Sequence, residues 1–170
     1  HKAMGHVADG FDEDTFARLA GTSAVGHVRY STAGDSGLKN AQPILIECAH
    51  GEIAICHNGN LVNASELKES LVSRGAIFQT TSDTEVLLHL YAHSKAASPE
   101  EAVVESVSQA QGAFSLVLLT KDRLIAVRDP HGFRPLTLGQ LDGGWVVCSE
   151  TCARSEEHTS ELQSRLHLVC

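Results

Sequence analysis

Hydrophobic and polar positions in the first part of the chain divide into a mixed segment and an alternating one. Phe11, Phe16 and Leu19 lie among acids around Asp12 to Ala20, the spacing of a short helix that stops before Gly21. The run Ala24-Val25-Gly26-His27-Val28-Arg29-Tyr30 reads as a strand, and it delivers Arg29 to a loop of turn formers from Ser31 to Gly37. Ile44 to Cys48 and Glu52 to His57 are rich in β-branched residues and flank His50-Gly51, which predicts a hairpin.

Three helices follow, each with its ends written in the sequence. Asn63 can cap the first, with Glu66 three residues on, Ala64, Leu67 and Leu71 on one face, and Gly75 as the stop. Ser82 and Glu85 form a capping box for the second, whose stripe is Val86, Leu87, Leu90 and Tyr91. Ser98-Pro99-Glu100-Glu101 opens the third with a cap and a first-turn proline, and Gly112 closes it. Period-two runs then return at Ala113 to Thr120, Arg123 to Arg128, Leu136 to Leu141 and Trp145 to Cys148, which predicts an antiparallel meander. Strands, then helices, then strands give an α+β domain with sheet and helices in separate layers, because parallel crossovers need the two to alternate.

Composition narrows the picture. A chain of 170 residues with 42% apolar side chains supports one domain with a sizeable core. No apolar run approaches the roughly 20 residues that span a bilayer, and no apolar signal core follows the first charges, so the expected location is the cytoplasm. The formal net charge of −8 disfavours nucleic acid and anionic membrane as partners and favours a small molecule. Five cysteines in no paired spacing fit a reducing compartment. The ten histidines are scattered, with His27, His50, His57 and His131 in different segments, so no metal site is expected. Residues 154–170, beginning Arg154-Ser155-Glu156-Glu157-His158, look like a translated sequencing adapter and are set apart as a non-native tail from the domain over 1–153. An amphipathic helix carrying Leu162, Leu166 and Val169 is the alternative for that stretch.

The candidate chemistry lies in three places. His57-Asn58-Gly59-Asn60 sits between a strand and a capped helix, so the usual hairpin meaning of Asn-Gly loses force and a special loop is expected. In such a loop an Asn amide and a Gly N–H can converge on a tetrahedral oxyanion. Arg29, at its strand's end, can make a bidentate contact with a free carboxylate. Asp83, at the start of the second helix, is held charged by the helix dipole and can pair with an ammonium group. Singly, each of these is ordinary surface chemistry; together they describe a site for an amino acid whose side-chain carbonyl is attacked, and glutamine fits.

In order, Gly26 to Gly34, Asn40-Ala41-Gln42-Pro43, His57 to Leu61, Thr81-Ser82-Asp83-Thr84-Glu85, Arg128 to Leu136 and Ser149 to Ala153 resemble the class II glutamine amidotransferases. The run Asp129-Pro130-His131-Gly132-Phe133-Arg134-Pro135-Leu136 separates the chain from the glucosamine-phosphate synthase, asparagine synthetase and glutamate synthase branches and points to the phosphoribosyl-transferring one. The resemblance implies an N-terminal-nucleophile hydrolase fold, a four-layer αββα sandwich of antiparallel sheets, here truncated at its N-terminus. It implies Arg29 and Thr32 on the glutamine carboxylate, Asp83 on its α-ammonium, Asn58 and Gly59 as oxyanion hole, and Tyr30 as a group that helps close the site. A Cys with a free α-amine would be the nucleophile. The first residue is His1, so that Cys is expected upstream of His1, and the stretch alone is expected to be inactive and poorly stable.

The same resemblance implies that ammonia passes to a second domain and displaces pyrophosphate from phosphoribosyl pyrophosphate, giving phosphoribosylamine for purine synthesis. No cofactor is expected within this stretch; magnesium and an iron–sulfur cluster are the groups to look for in the remainder of a homo-oligomeric enzyme. Two other readings stand beside it: a noncatalytic glutamine-binding regulatory module, and a thiol hydrolase using Cys56 and His57. Alternation along a strand puts those two side chains on opposite faces, which disfavours the dyad.

Overall fold

A computed structural model of the chain describes residues 1–29, 37–141 and 143–150. Its organising element is a long strand, β2 (Gly51–Leu61), in which Ile53, Ile55, His57 and Leu61 alternate onto one face and are buried there. On either side of it lie β1 (Ile44–Cys48) and β3 (Gly112–Thr120), and β4 (Leu124–Arg128) pairs with β3. All pairings are antiparallel, with Ile44 opposite Ile55, His57 opposite Leu116, and Leu116 opposite Val127. The inner face of this sheet is therefore a grid of β-branched and Leu side chains, each contributing about 2 kcal/mol by leaving water.

Helices cover that face. Leu87, Leu88 and Tyr91 of α4 (Thr84–His93) and Ala102 and Val103 of α5 (Pro99–Val107) close the main core over Ile53, Ile55, Phe114, Leu116 and Leu118. A second, smaller core holds Leu71 of α3 (Ala64–Ser73) against Val86 and Leu90 on the opposite side of α4. That α4 is apolar nearly all round follows from this double duty. Before the sheet come two short helices, α1 (Val7–Gly10) and α2 (Glu13–Arg18), with Thr15 their single buried residue. His1 precedes them and is exposed, its ring edge-on to Phe11 with centroids 5.2 Å apart.

Several expected boundaries hold. Asp12 caps α2 by accepting the Thr15 N–H, Ser98 caps α5 by accepting the Glu101 N–H, and Gly75 stops α3 with a φ of 92°. Others change. The segment Ala24 to Arg29 forms no ladder. Side chains meet the free stretch of the β2 edge, where a further strand would have to pair. The expected capping box of Ser82 and Glu85 is replaced: Asp83 is the N-cap residue, and Glu85 reaches back to accept the N–H groups of Gln79 and Thr80. Asn63 stands at the start of α3 without capping it; its amide instead joins the Gln109 carbonyl and the Gln111 N–H. Gly112 opens β3 rather than closing α5, which ends at Val107.

The predicted meander is split in two. β5 (Thr137–Leu141) and β6 (Gly144–Cys148) pair only with each other, in a separate two-stranded sheet. Between β4 and β5 the chain turns around the buried Asp129, whose carboxylate accepts the N–H groups of His131, Phe133, Arg134 and Phe114. Arg128 ties the same loop by donating to the carbonyls of Gly132 and Arg134. Thus the two antiparallel sheets and the segregated helices give the expected α+β class. Thr32 and Tyr30, and the tail over 154–170, lie outside the described residues.

Candidate functional site

The site grows from one edge of β2. Along this strand the N–H groups of even-numbered residues face β3, as the Val62 N–H donating to the Gln111 carbonyl shows just past the strand's end, and those of odd-numbered residues face the other edge. There β1 covers Ile53 and Ile55, then ends at Ile44, and the backbone before it leaves the ladder at Gln42-Pro43. Side chains take over beyond that point. Gln42 Oε1 accepts the His57 N–H at 2.6 Å, and Asp83 Oδ2 accepts the Leu61 N–H at 2.9 Å. His27 Nε2 lies 3.1 Å from the His57 carbonyl oxygen on the same edge. Strand alternation places the Gly59 N–H between these two anchored groups, two residues, or about 7 Å, from each.

Gly59 can occupy this position only as glycine. Its φ is 147°, and a Cβ there would lie 2.1 Å from the Ala113 carbonyl oxygen and 2.7 Å from Phe114 Cα. Backbone is thus pressed against backbone at the one N–H of this edge that lies between the two side-chain anchors. The expected special loop is therefore corrected: Asn58-Gly59 is part of β2, opposite Ser115 and Phe114, and not a loop after it. The strand continues because Leu61 still has an apolar place under the helices. Asn58 alternates away from His57, onto the face that carries Cys56, and is half-buried.

Asp83 stands beside this edge at the start of α4. Burial raises its carboxyl, but the His57 ring 3.5 Å from Oδ1 and the N–H groups of Leu61 and Thr84 outweigh that and hold it below the usual carboxylate value. It is a charged acceptor in a partly closed place, with its side chain 20% exposed. His57 is buried; its Nδ1 lies 3.0 Å from Thr84 Oγ1, and Gln42 Nε2 donates to the same oxygen at 3.2 Å. Asn40, also buried, exchanges two hydrogen bonds with Thr81 just before the helix.

Of the sequence-predicted site residues, the structure brings Gly59 and Asp83 to one strand edge and puts Asn58 next in line on the other face. Arg29 lies two residues from His27, the ring that meets the same edge. Burial lowers His27 below its usual value, and the neighbouring His57 ring and Arg29 guanidinium add to this against the His57 carbonyl. Sequence reasoning gave no role to Gln42 or Thr84, and considered the His57 ring only as the partner of Cys56 in a dyad. The available signal was a Gln immediately before the proline that ends a strand, a polar residue where the ladder loses its backbone partner.

No thiol takes the nucleophile's place among the described residues. His1 carries an imidazole, and its ring contact is with Phe11 rather than with the β2 edge. The Cys56–His57 dyad does not form. His57 faces Thr84 and α4 while Cys56 faces away, and burial pushes the Cys56 thiol up to about 12. Cys48 pairs with Gly51 at the far end of β2, and Cys148 lies in the separate β5–β6 sheet. Among the described residues no group of three His, Cys, Asp or Glu side chains could hold a metal ion, and no helix is long and apolar enough to cross a membrane.

A family profile described as a glutamine amidotransferase domain matches residues 27–154. The amidophosphoribosyltransferase of Rhizobium etli is 47% identical over 151 residues, 88% of this chain and 30% of its own length. A chloroplastic amidophosphoribosyltransferase of Arabidopsis thaliana is 51% identical over 151 residues, 88% of this chain and 27% of its own. Among solved structures, a glutamine phosphoribosylpyrophosphate amidotransferase from B. subtilis, complexed with ADP and GMP, superposes with a TM-score of 0.70 at 44% identity. The match covers 75% of this chain and 27% of that one. The chain therefore spans about three tenths of the length of these relatives.

Proposed function

The chain belongs to the glutamine amidotransferase family, and on that premise we propose that it is the glutamine-recognising domain of an amidophosphoribosyltransferase. The observation that carries the reading is the β2 edge on which a glycine N–H lies about 7 Å along the strand from a charged carboxylate, a separation that the side chain of one glutamine bridges. Asp83 takes the α-ammonium, Arg29 and Thr32 take the α-carboxylate, and the Gly59 N–H with the Asn58 amide receives the side-chain oxygen. Those donors meet the oxygen where negative charge develops once a nucleophile adds to the amide carbon. Ammonia leaves as that intermediate collapses, and water then releases glutamate.

Recognition and oxyanion stabilisation are assigned to these residues, and the nucleophile is not. His1 has no thiol, Cys56 is buried and protonated, and Cys48, opposite Gly51, lies about 23 Å along the strand from Asn58. In the whole protein the ammonia attacks phosphoribosyl pyrophosphate, displacing pyrophosphate, and the free thiols suit a reducing compartment. Calorimetry on the chain tests the recognition. L-glutamine is expected to bind about tenfold or more tightly than 4-aminobutanamide, which lacks the α-carboxylate, or 4-carbamoylbutanoate, which lacks the α-amine. Equal affinities, or none for glutamine, would remove the reading.

A further inference from the structure

The hydrogen bonds behind Asp83 have a single origin outside the site. Continued by two residues, the register of β1 on β2 would put Gln42 opposite His57, but the backbone has left the ladder at Pro43. The Gln42 side chain substitutes for that backbone, Oε1 accepting the His57 N–H and Nε2 donating to Thr84 Oγ1. A backbone N–H only donates, so the amide has one possible orientation, and Thr84 Oγ1 must spend a lone pair on Gln42.

Thr84 Oγ1 has one lone pair and one proton left for two neighbours, Ser82 Oγ at 2.9 Å and His57 Nδ1 at 3.0 Å. The His57 tautomer decides their use. With the proton on Nε2, a buried N–H would have no acceptor among the described residues, and the Nδ1 lone pair would face the Asp83 carboxylate 3.5 Å away. A proton on Nδ1 avoids both, since an orphaned buried acceptor costs less than an orphaned buried donor. Nδ1–H then donates to Thr84 and points at Asp83 Oδ1, and of the two hydroxyls, either of which can donate, Thr84 then gives its proton to Ser82 rather than accepting one from it. With Oδ1 facing the ring and Oδ2 bound to the Leu61 N–H, the carboxylate has one rotamer left.

We propose that Gln42 is a positioning residue for the ammonium pole of the site, setting the Asp83 carboxylate through Thr84 and His57 while its other end anchors β2 two residues before Gly59. The inference rests on the assignment of Asp83 to the α-ammonium of glutamine. Gln42→Leu, close in shape and without polar atoms, removes both bonds. Thr84→Val is the second variant, removing the relay without touching the β2 edge, and Thr84→Ser retains the hydroxyl.

The readout is the ratio of affinities, by calorimetry, for L-glutamine and 4-carbamoylbutanoate, which differ by the α-amine alone. Gln42→Leu and Thr84→Val are expected to weaken L-glutamine about tenfold, as for a misplaced charge-assisted contact, and to change 4-carbamoylbutanoate by less than about twofold. Thr84→Ser should keep the wild-type ratio. If Gln42→Leu keeps the ratio, or if both variants lose the two ligands equally, Gln42 serves the fold alone and the proposal is overturned. A wild-type chain that does not distinguish the two ligands overturns instead the assignment of Asp83.

Discussion

Asp83 is held by opposing forces, and their balance makes a pH prediction. Burial favours its neutral form, yet the His57 ring and the Leu61 and Thr84 N–H groups hold it below its ordinary value. A carboxyl lowered on folding contributes stability that is complete above its unfolded value and is lost as the pH falls through its folded one. The charge that receives the ammonium group therefore persists through the neutral and mildly acid range. Asp83→Asn keeps an acceptor for the Leu61 N–H but removes that charge. We expect a loss of about 2 kcal/mol in glutamine binding, as for removal of one member of a partly desolvated charge pair. The deficit should be constant from about pH 8 down to about pH 5 and close only at more acid pH. Calorimetry across that range checks it; a variant that binds like the wild type at neutral pH would remove Asp83 from the site.

Elements are where the sequence was most and least legible. Helix positions followed from caps and stops such as Ser98 and Gly75, since these act locally and leave a signature in neighbouring letters. The strands of the main sheet followed from β-branched alternation. What local letters did not contain was tertiary competition. His57-Asn58-Gly59-Asn60 is a turn sequence by composition, and it is a strand because β3 offers a full ladder and Leu61 a buried place. The alternating run around His27 is strand-like and forms no ladder, because the β2 edge it could join is met by side chains from Gln42, Asp83 and His27. Gly59 tests this account of the element. Gly59→Ala forces a Cβ to 2.1 Å from the Ala113 oxygen and should cost about 3 kcal/mol or more in thermal or denaturant unfolding. Gly51→Ala also places alanine at positive φ, but nothing lies within 4 Å, so about 1 kcal/mol is expected. Equal losses would mean that the backbone contact across β2 and β3 is not what requires glycine.

At the scale of the molecule, the site is a seam. The sheet supplies N–H groups along the β2 edge, the first turn of α4 supplies the charge, and the segment before β1 supplies the side chain that joins them. Glutamine recognition could be inferred from Arg29, Asn58, Gly59 and Asp83 because their chemistry is complementary to that ligand. The seam itself could not, since it depends on where β1 stops relative to β2, a register that no single segment encodes. Its direct consequence is spatial: a glutamine bound here must perturb the Gly59 and Leu61 amides together. The decisive measurement is a ¹H–¹⁵N NMR titration of the chain with L-glutamine, on the wild type and on Asp83→Asn. Saturable shifts at Gly59 and Leu61 that weaken together about tenfold or more in Asp83→Asn are the predicted result. Saturation without movement of Gly59, or identical titrations of the two chains, would contradict the site described here.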